Sequence, residues 1–249
     1  MIRRTGVMQV LLLVVVIGLW QALAATSARA FISSPADVAE LLRSWLFGPD
    51  YVWLDAYATV RVAFIGLILG CLVASATALL LAQVDVLSRF LSPFVAAANV
   101  LPKVALIPLF ILWFGVGDLS KVTFVAIGVF FIVFYSVFTS VLQVAKNQED
   151  HLRVLGASWW WRLRELILPT VWGALISSAR LSVAFALLGG VLTEMMGSNN
   201  GLGYLLAHGQ ATVSPAQVMA AIVLVAIVGV GADALLSWCD RRLARWRDG

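Results

Sequence analysis

The sequence predicts an all-α integral membrane protein of six transmembrane helices with both termini cytoplasmic, and three observations carry that reading. Apolar residues make up 62% of the 249-residue chain and charged residues only 12%, about half the charge fraction of a soluble domain. Apolar runs of roughly 20 residues, enough to cross about 30 Å of hydrocarbon as helix, recur along the chain. Lys and Arg gather on alternate connections. Arg3, Arg4, Arg89, Lys146, Arg153, Arg162, Arg164, Arg241, Arg242, Arg245 and Arg247 fall on one side, against Arg29, Arg43 and Lys121 on the other, and the richer side is cytoplasmic.

Residues 1–59 read as a first transmembrane helix with an outer segment, and 60–249 as a core of five more spans. The first run, Val7 to Ala25, lies between Arg3-Arg4 and Ala28-Arg29-Ala30, as a cleavable signal would; its length favours a retained helix. From Ser33 to Tyr57, Val38, Leu41, Leu42 and Trp45 have helical spacing among acidic and aromatic residues. They indicate a short amphipathic helix on the outer surface ending in a turn at Gly48-Pro49, or else a plain loop. Val60 to Ala82 is the second span, with Gly66 and Gly70 suited to close helix approach and Arg61 snorkelling at its outer end.

A third span, Val95 to Phe114, is interrupted by Pro102 and Pro108. Proline removes a backbone donor and breaks a helix, and broken spans line pathways, so both are candidate solute-pathway residues; Lys103 beside them snorkels. The fourth span, Val122 to Leu142, carries Phe124, Phe130, Phe131, Phe134 and Phe138, which are not expected to share one stripe and are read as lipid-facing. The fifth, Val171 to Thr193, contains Arg180 roughly 13 Å deep at 1.5 Å per residue, with no acid expected at that depth. Arg180 either faces the pathway and attracts an anion, or holds helices together through a carbonyl or a neighbour such as Gln83. Glu194 and Asp233 fall near span ends, Gly201 and Gly203 suit a tight outer turn, and Gln217 to Leu236 is the last span.

Several chemistries are excluded. Cys71 and Cys239 are placed too far apart to pair, and His151 and His208 on opposite sides of the membrane, so no histidine metal site is expected. No G-x-S-x-G occurs, and none of Lys103, Lys121 and Lys146 sits in a phosphate-binding loop; ATP must be bound by another chain. A gradient-driven secondary transporter is the alternative class, but it needs intramembrane acids as ion sites. A membrane-embedded enzyme would need His, Asp, Ser or Cys clustered at one depth.

The loop 145–170 between the fourth and fifth spans holds the decisive pattern. Asp150, His151 and Leu152, then Gly156, then Leu166 and Leu168-Pro169 resemble the E-A-A-x3-G-x9-I-x-L-P loop of binding-protein-dependent ABC importer permeases, with Asp, His and Leu in place of Glu and the two alanines, and Leu166 in place of Ile. LPKVALIPLFILWFGVGD, Leu101 to Asp118, resembles the P-x-x-A-x-x-P-L-x-x-x-W-F-G-x-G segment of the nitrate, sulfonate and taurine branch, and Glu194 followed by Gly201-Leu202-Gly203-Tyr204 resembles a further family element.

The resemblance implies the type I importer permease fold in a bacterial inner membrane, multi-pass. It further implies a second permease copy as partner, two ABC ATPase subunits docked on the loop, which supply ATP and Mg, and a periplasmic solute-binding protein. Lipid surrounds the chain; no nucleic acid and no cofactor of its own are expected. The implied solute is a small sulfonate-, nitrate- or taurine-like anion, with a pyrimidine- or flavin-like nutrient as the alternative.

Overall fold

The computed structural model describes residues 2–26, 32–48, 52–82, 102–154 and 158–244, with positions 86, 90, 93–95 and 97 besides. Among them every element is helical: α1 (Ile2–Ala24), α2 (Pro35–Phe47), α3 (Val52–Ala82), a 3-10 turn (Lys103–Leu106) leading into α4 (Ile107–Phe114), α5 (Asp118–Val154), α6 (Leu168–Gly197), α7 (Leu202–Ala211) and α8 (Pro215–Ala244). Four described helices are long and apolar enough to cross a membrane: Val52–Ala82, Asp118–Gln143, Trp160–Gly197 and Pro215–Arg242. Shorter apolar helices, Val14–Ala24 and Lys103–Phe114, lie where the first and third expected spans fall.

The core is built by α3, α5 and α6. Val125, Val129, Val133 and Val137, four apart on α5, form one fully buried ridge, as the 3.6-residue repeat requires. The ridge meets small residues: a side chain at Gly66 or Gly70 of α3 would run into Val125 or Val129. The small-residue face of the second span is thus filled by α5 of the same chain. Ser136 of α5 donates to the carbonyl of Ala174 on α6 at 3.1 Å, a cross-helix bond with a polar donor in an apolar layer.

The phenylalanines of α5 depart from the lipid-facing expectation. Phe124, Phe134 and Phe138 are buried; Phe130, Phe134 and Phe138 stack with centroids 5.4 and 5.3 Å apart, and Phe124 stacks on Phe185 of α6 at 6.3 Å. At 100° per residue all five fall within an arc of about 120°. They form one stripe, turned into the bundle.

The segment between Ser33 and Phe47 is a helix. Pro35 sits in its first turn and Ser34 caps it reciprocally: Asp37 N–H donates to Ser34 Oγ at 3.1 Å and Ser34 N–H to Asp37 Oδ2 at 3.3 Å, a capping box. Val38 and Trp45 are buried in a second cluster with Leu202 and Leu206 of α7 and Ala220, Ala221 and Leu224 of α8. Trp20 of α1 donates its indole N–H to the Ser33 carbonyl at 2.9 Å, tying the end of α1 to this segment. The next helix begins at Val52, two turns before the expected start at Val60, so the 59/60 boundary falls inside α3.

Candidate functional site: the connecting stub and two charged positions

Helix α5 runs on to Val154, so Asp150, His151 and Leu152 are helical in backbone; Gly156 lies outside the described residues. After it Ser158 starts a new turn, accepting from Trp161 N–H at 3.3 Å. Trp159–Arg162 passes into a π-helical segment, Leu163–Ile167, and then into α6. The widening has a cause in the sequence. Pro169 has no N–H and its ring crowds the carbonyl of Glu165 four residues back; the chain relaxes locally to the π pattern, with Leu168 N–H donating to the Leu163 carbonyl. Leu166 is half-buried and Leu168 exposed, while Ile167 between them packs on the core. The stub is therefore anchored by Ile167 and presents Leu168, Trp160 and Trp161 outward.

Pro102 and Pro108 bracket an interruption. Pro102 accepts from Ala105 N–H at 3.0 Å to open the 3-10 turn, and Pro108 lies in the first turn of α4, where its missing donor costs nothing. Ile107 is fully buried and Phe110 meets Phe124 of α5 edge-on at 6.0 Å, so the broken segment is held against the core. Lys103 sits over the Phe131 ring at 5.3 Å.

The expectation of no acid near Arg180 is corrected. Arg180 Nε lies 3.1 Å from Asp233 Oδ1 of α8, and its Nη2 donates to Ser237 Oγ at 3.0 Å. Asp233, though late in the last span, meets Arg180 because α6 and α8 run antiparallel. Gln83 is outside the described residues.

The other end holds a polar hub that the sequence did not reveal. Glu194 is 1% exposed, and its Oε2 accepts from Thr59 Oγ1 at 2.8 Å and from Gly203 N–H at 2.9 Å. Thr59 Oγ1 accepts in turn from Leu202 N–H at 2.9 Å, and Asp55 Oδ1 accepts from Gly201 N–H at 2.6 Å. Three successive donors at the start of α7 are thus satisfied by side chains of α3 and α6, a helix N-terminus capped entirely through tertiary structure. Gly201, with φ 103°, opens this turn, and a side chain on it would enter the Glu194 carboxylate; only glycine fits both demands. Buried Lys121 donates to Ser198 Oγ at 2.7 Å, and Arg61 is paired with Asp118 instead of reaching alone to water. Glu194 and the Gly201-Leu202-Gly203-Tyr204 element after it were visible in the sequence; the partner Thr59, 135 residues away, was not.

The family profile of the binding-protein-dependent transport system inner membrane component matches residues 66–245. The chain belongs to that family. It is 29% identical, over 99% of its length and 90% of the relative's, to a Bacillus subtilis protein named as an aliphatic sulfonates transport permease, SsuC. It is 30% identical, over 91% of its length and 85% of the relative's, to the riboflavin transport system permease protein RibX of Chloroflexus aurantiacus. Its fold matches a solved inward-facing conformation of the MetNI methionine ABC transporter with TM-score 0.59 at 18% identity, over 76% of this chain and 97% of that one. This permease has the type I importer architecture and is a transport subunit, not an enzyme; in such transporters ATP is hydrolysed by a partner ATPase.

Proposed function

We propose that the permease carries a small oxyanion, a sulfonate foremost, from a periplasmic binding protein into the cytoplasm across the inner membrane. In this reading it pairs with a second copy of itself, and two ATPases that bind ATP and Mg dock on the stub. The observation that carries the mechanism is the stub's construction. Helix α5 passes without a break from the buried core to Val154, and the return limb enters α6 through a π segment with Ile167 in the core. A push on Asp150, His151, Leu152 or Leu168 therefore reaches α5 and α6, the two helices that carry most of the buried aromatic packing. Packed helices of this kind move as rigid units, which turns docking and release of an ATPase into rocking of the bundle. Pro102 and Pro108, which leave α4 short and separately seated, fit the wall of the pathway.

The sulfonate assignment rests on the SsuC-like relative that spans nearly the whole chain; the similarity to a riboflavin permease favours a flavin-like nutrient as the second reading. Uptake of a labelled alkanesulfonate and of riboflavin by vesicles carrying the permease with its ATPase and binding protein separates the two. Coupling is tested by Gly156→Pro, which is expected to abolish solute-stimulated ATP hydrolysis while the complex still assembles; normal stimulation would remove the stub from the mechanism. Native mass spectrometry of the extracted complex is expected to show two copies of this chain with two ATPases, and a second, different permease in the complex would refute self-pairing.

A further inference from the structure

We propose that the groove between α6 and α8 binds a phospholipid of the cytoplasmic leaflet whose headgroup carries both a phosphate and a primary ammonium. The groove encloses about 350 Å³. At one end stand Arg180 and Asp233; its remaining walls are apolar, among them Val183, Leu187, Val225 and Leu236, with Gly229 opening the space between the helices. A side chain at Gly229 would meet nothing within 4 Å.

The depth fits a headgroup. Asp233 is 18 residues from Pro215, the start of α8, about 27 Å at 1.5 Å per residue, and Arg180 is 17 residues, about 25 Å, from the matching end of α6. Counted from those ends, both lie toward the far boundary of a hydrocarbon layer about 30 Å thick, shallower than the roughly 13 Å expected from the sequence, because α6 is about 45 Å long and overruns the layer. Arg180 reaches further the same way, to Ser237, beside Trp238, whose ring takes Arg242 at 5.1 Å; aromatic and basic residues together mark the interface, and the Lys and Arg distribution makes it the cytoplasmic one.

The chemistry fits a zwitterion. The pair is neutral as a unit, yet its side chains remain 65% and 55% exposed. Among the described residues the guanidinium makes only the bonds to Asp233 and Ser237, which leaves N–H groups for a phosphate oxygen, and Asp233 keeps an oxygen for an ammonium. A purely apolar neighbour would desolvate the pair at a cost, whereas a phosphate and ammonium satisfy both partners while an acyl chain covers the apolar wall.

The test uses the permease assembled with its ATPase in nanodiscs of equal phosphatidylethanolamine, phosphatidylcholine and phosphatidylglycerol, with retained lipids counted by native mass spectrometry. Retention should favour phosphatidylethanolamine, and Gly229→Trp, which fills the groove and leaves the ion pair, should lower it about tenfold, the equivalent of about two acyl methylenes left unburied. Asp233→Asn should erase the preference over phosphatidylcholine, whose quaternary nitrogen donates no hydrogen bond, and this variant decides the matter if Gly229→Trp does not assemble. Equal retention of the three lipids, unchanged retention in Gly229→Trp, or an unchanged preference in Asp233→Asn would overturn the proposal. So would separation of permease copies in Gly229→Trp, which would make the groove a protein interface.

Discussion

Helix α6 carries Glu194 and Arg180, 14 residues apart, and the fold handles the two charges in opposite ways. Glu194 is taken out of solvent and met by a hydroxyl and a helix N-terminus; Arg180 stays largely exposed and meets one carboxylate and one hydroxyl at the edge of the bundle. A buried carboxylate persists only where donors are already in place, so the Glu194 end must be ordered as a unit: α3, α6 and α7 are tied there by a chain of bonds that fails together. An exposed pair near an interface can be broken with little loss. One end of the bundle is therefore tied as a unit, and the other keeps an exposed pair with room for further partners.

Removing the carboxylate should show the contrast most strongly. Glu194→Ala leaves the Gly203 N–H unmet beside a new cavity and turns the Thr59 hydroxyl back to the Asp55 carbonyl, and we expect a loss of about 3 kcal/mol, read as a lowered unfolding temperature of the purified complex; a midpoint unchanged from wild type would show that the hub is not a tie. Gly201→Ala forces a side chain onto φ 103° and into the Glu194 carboxylate, which should cost about 1–3 kcal/mol in the same measurement. Thr59→Val keeps the shape and removes only the hydroxyl, so about 1–2 kcal/mol is expected. Combined with Glu194→Ala it should cost less than the sum, because both act on one network, and strict additivity would dissolve the network into separate contacts.

Arg180→Gln should be the mildest change, within about 1 kcal/mol and with uptake of the anion preserved, since the guanidinium is already matched by Asp233. A severalfold fall in uptake with stability and basal ATP hydrolysis intact would return Arg180 to the pathway.

The sequence makes the membrane class legible, since it depends on local composition, and offers α2 as a helix or a loop; the structure decides for the helix, capped by Ser34 and Asp37 three residues apart. The start of α3 was less clear, because Asp55 and Arg61 look like the polar edge of a span. In the structure Asp55 accepts from Gly201 and Arg61 pairs with Asp118, and the helix continues through both. The phenylalanines of α5 do not read as one stripe in the sequence, yet all five share an arc that faces inward; their direction had no local signal, because lipid and a bundle core are equally apolar and periodicity cannot tell them apart. Of the loop pattern from Asp150 to Pro169, the structure adds a physical reason at one position, where Pro169 explains the π segment that precedes it.

What the sequence determined alone is the class, an all-helical membrane permease, together with an expectation of where its basic loops and its importer-like loop lie. These follow from hydrophobic length, charge and local spacing. Tertiary structure decided where the charges in the spans find their partners. Glu194 with Thr59, Asp55 with Gly201, and Arg180 with Asp233 are 135, 146 and 53 residues apart, and no local rule links such positions. In an apolar surrounding a buried polar group is costly unless another meets it, and which other does so is set only by how the helices pack.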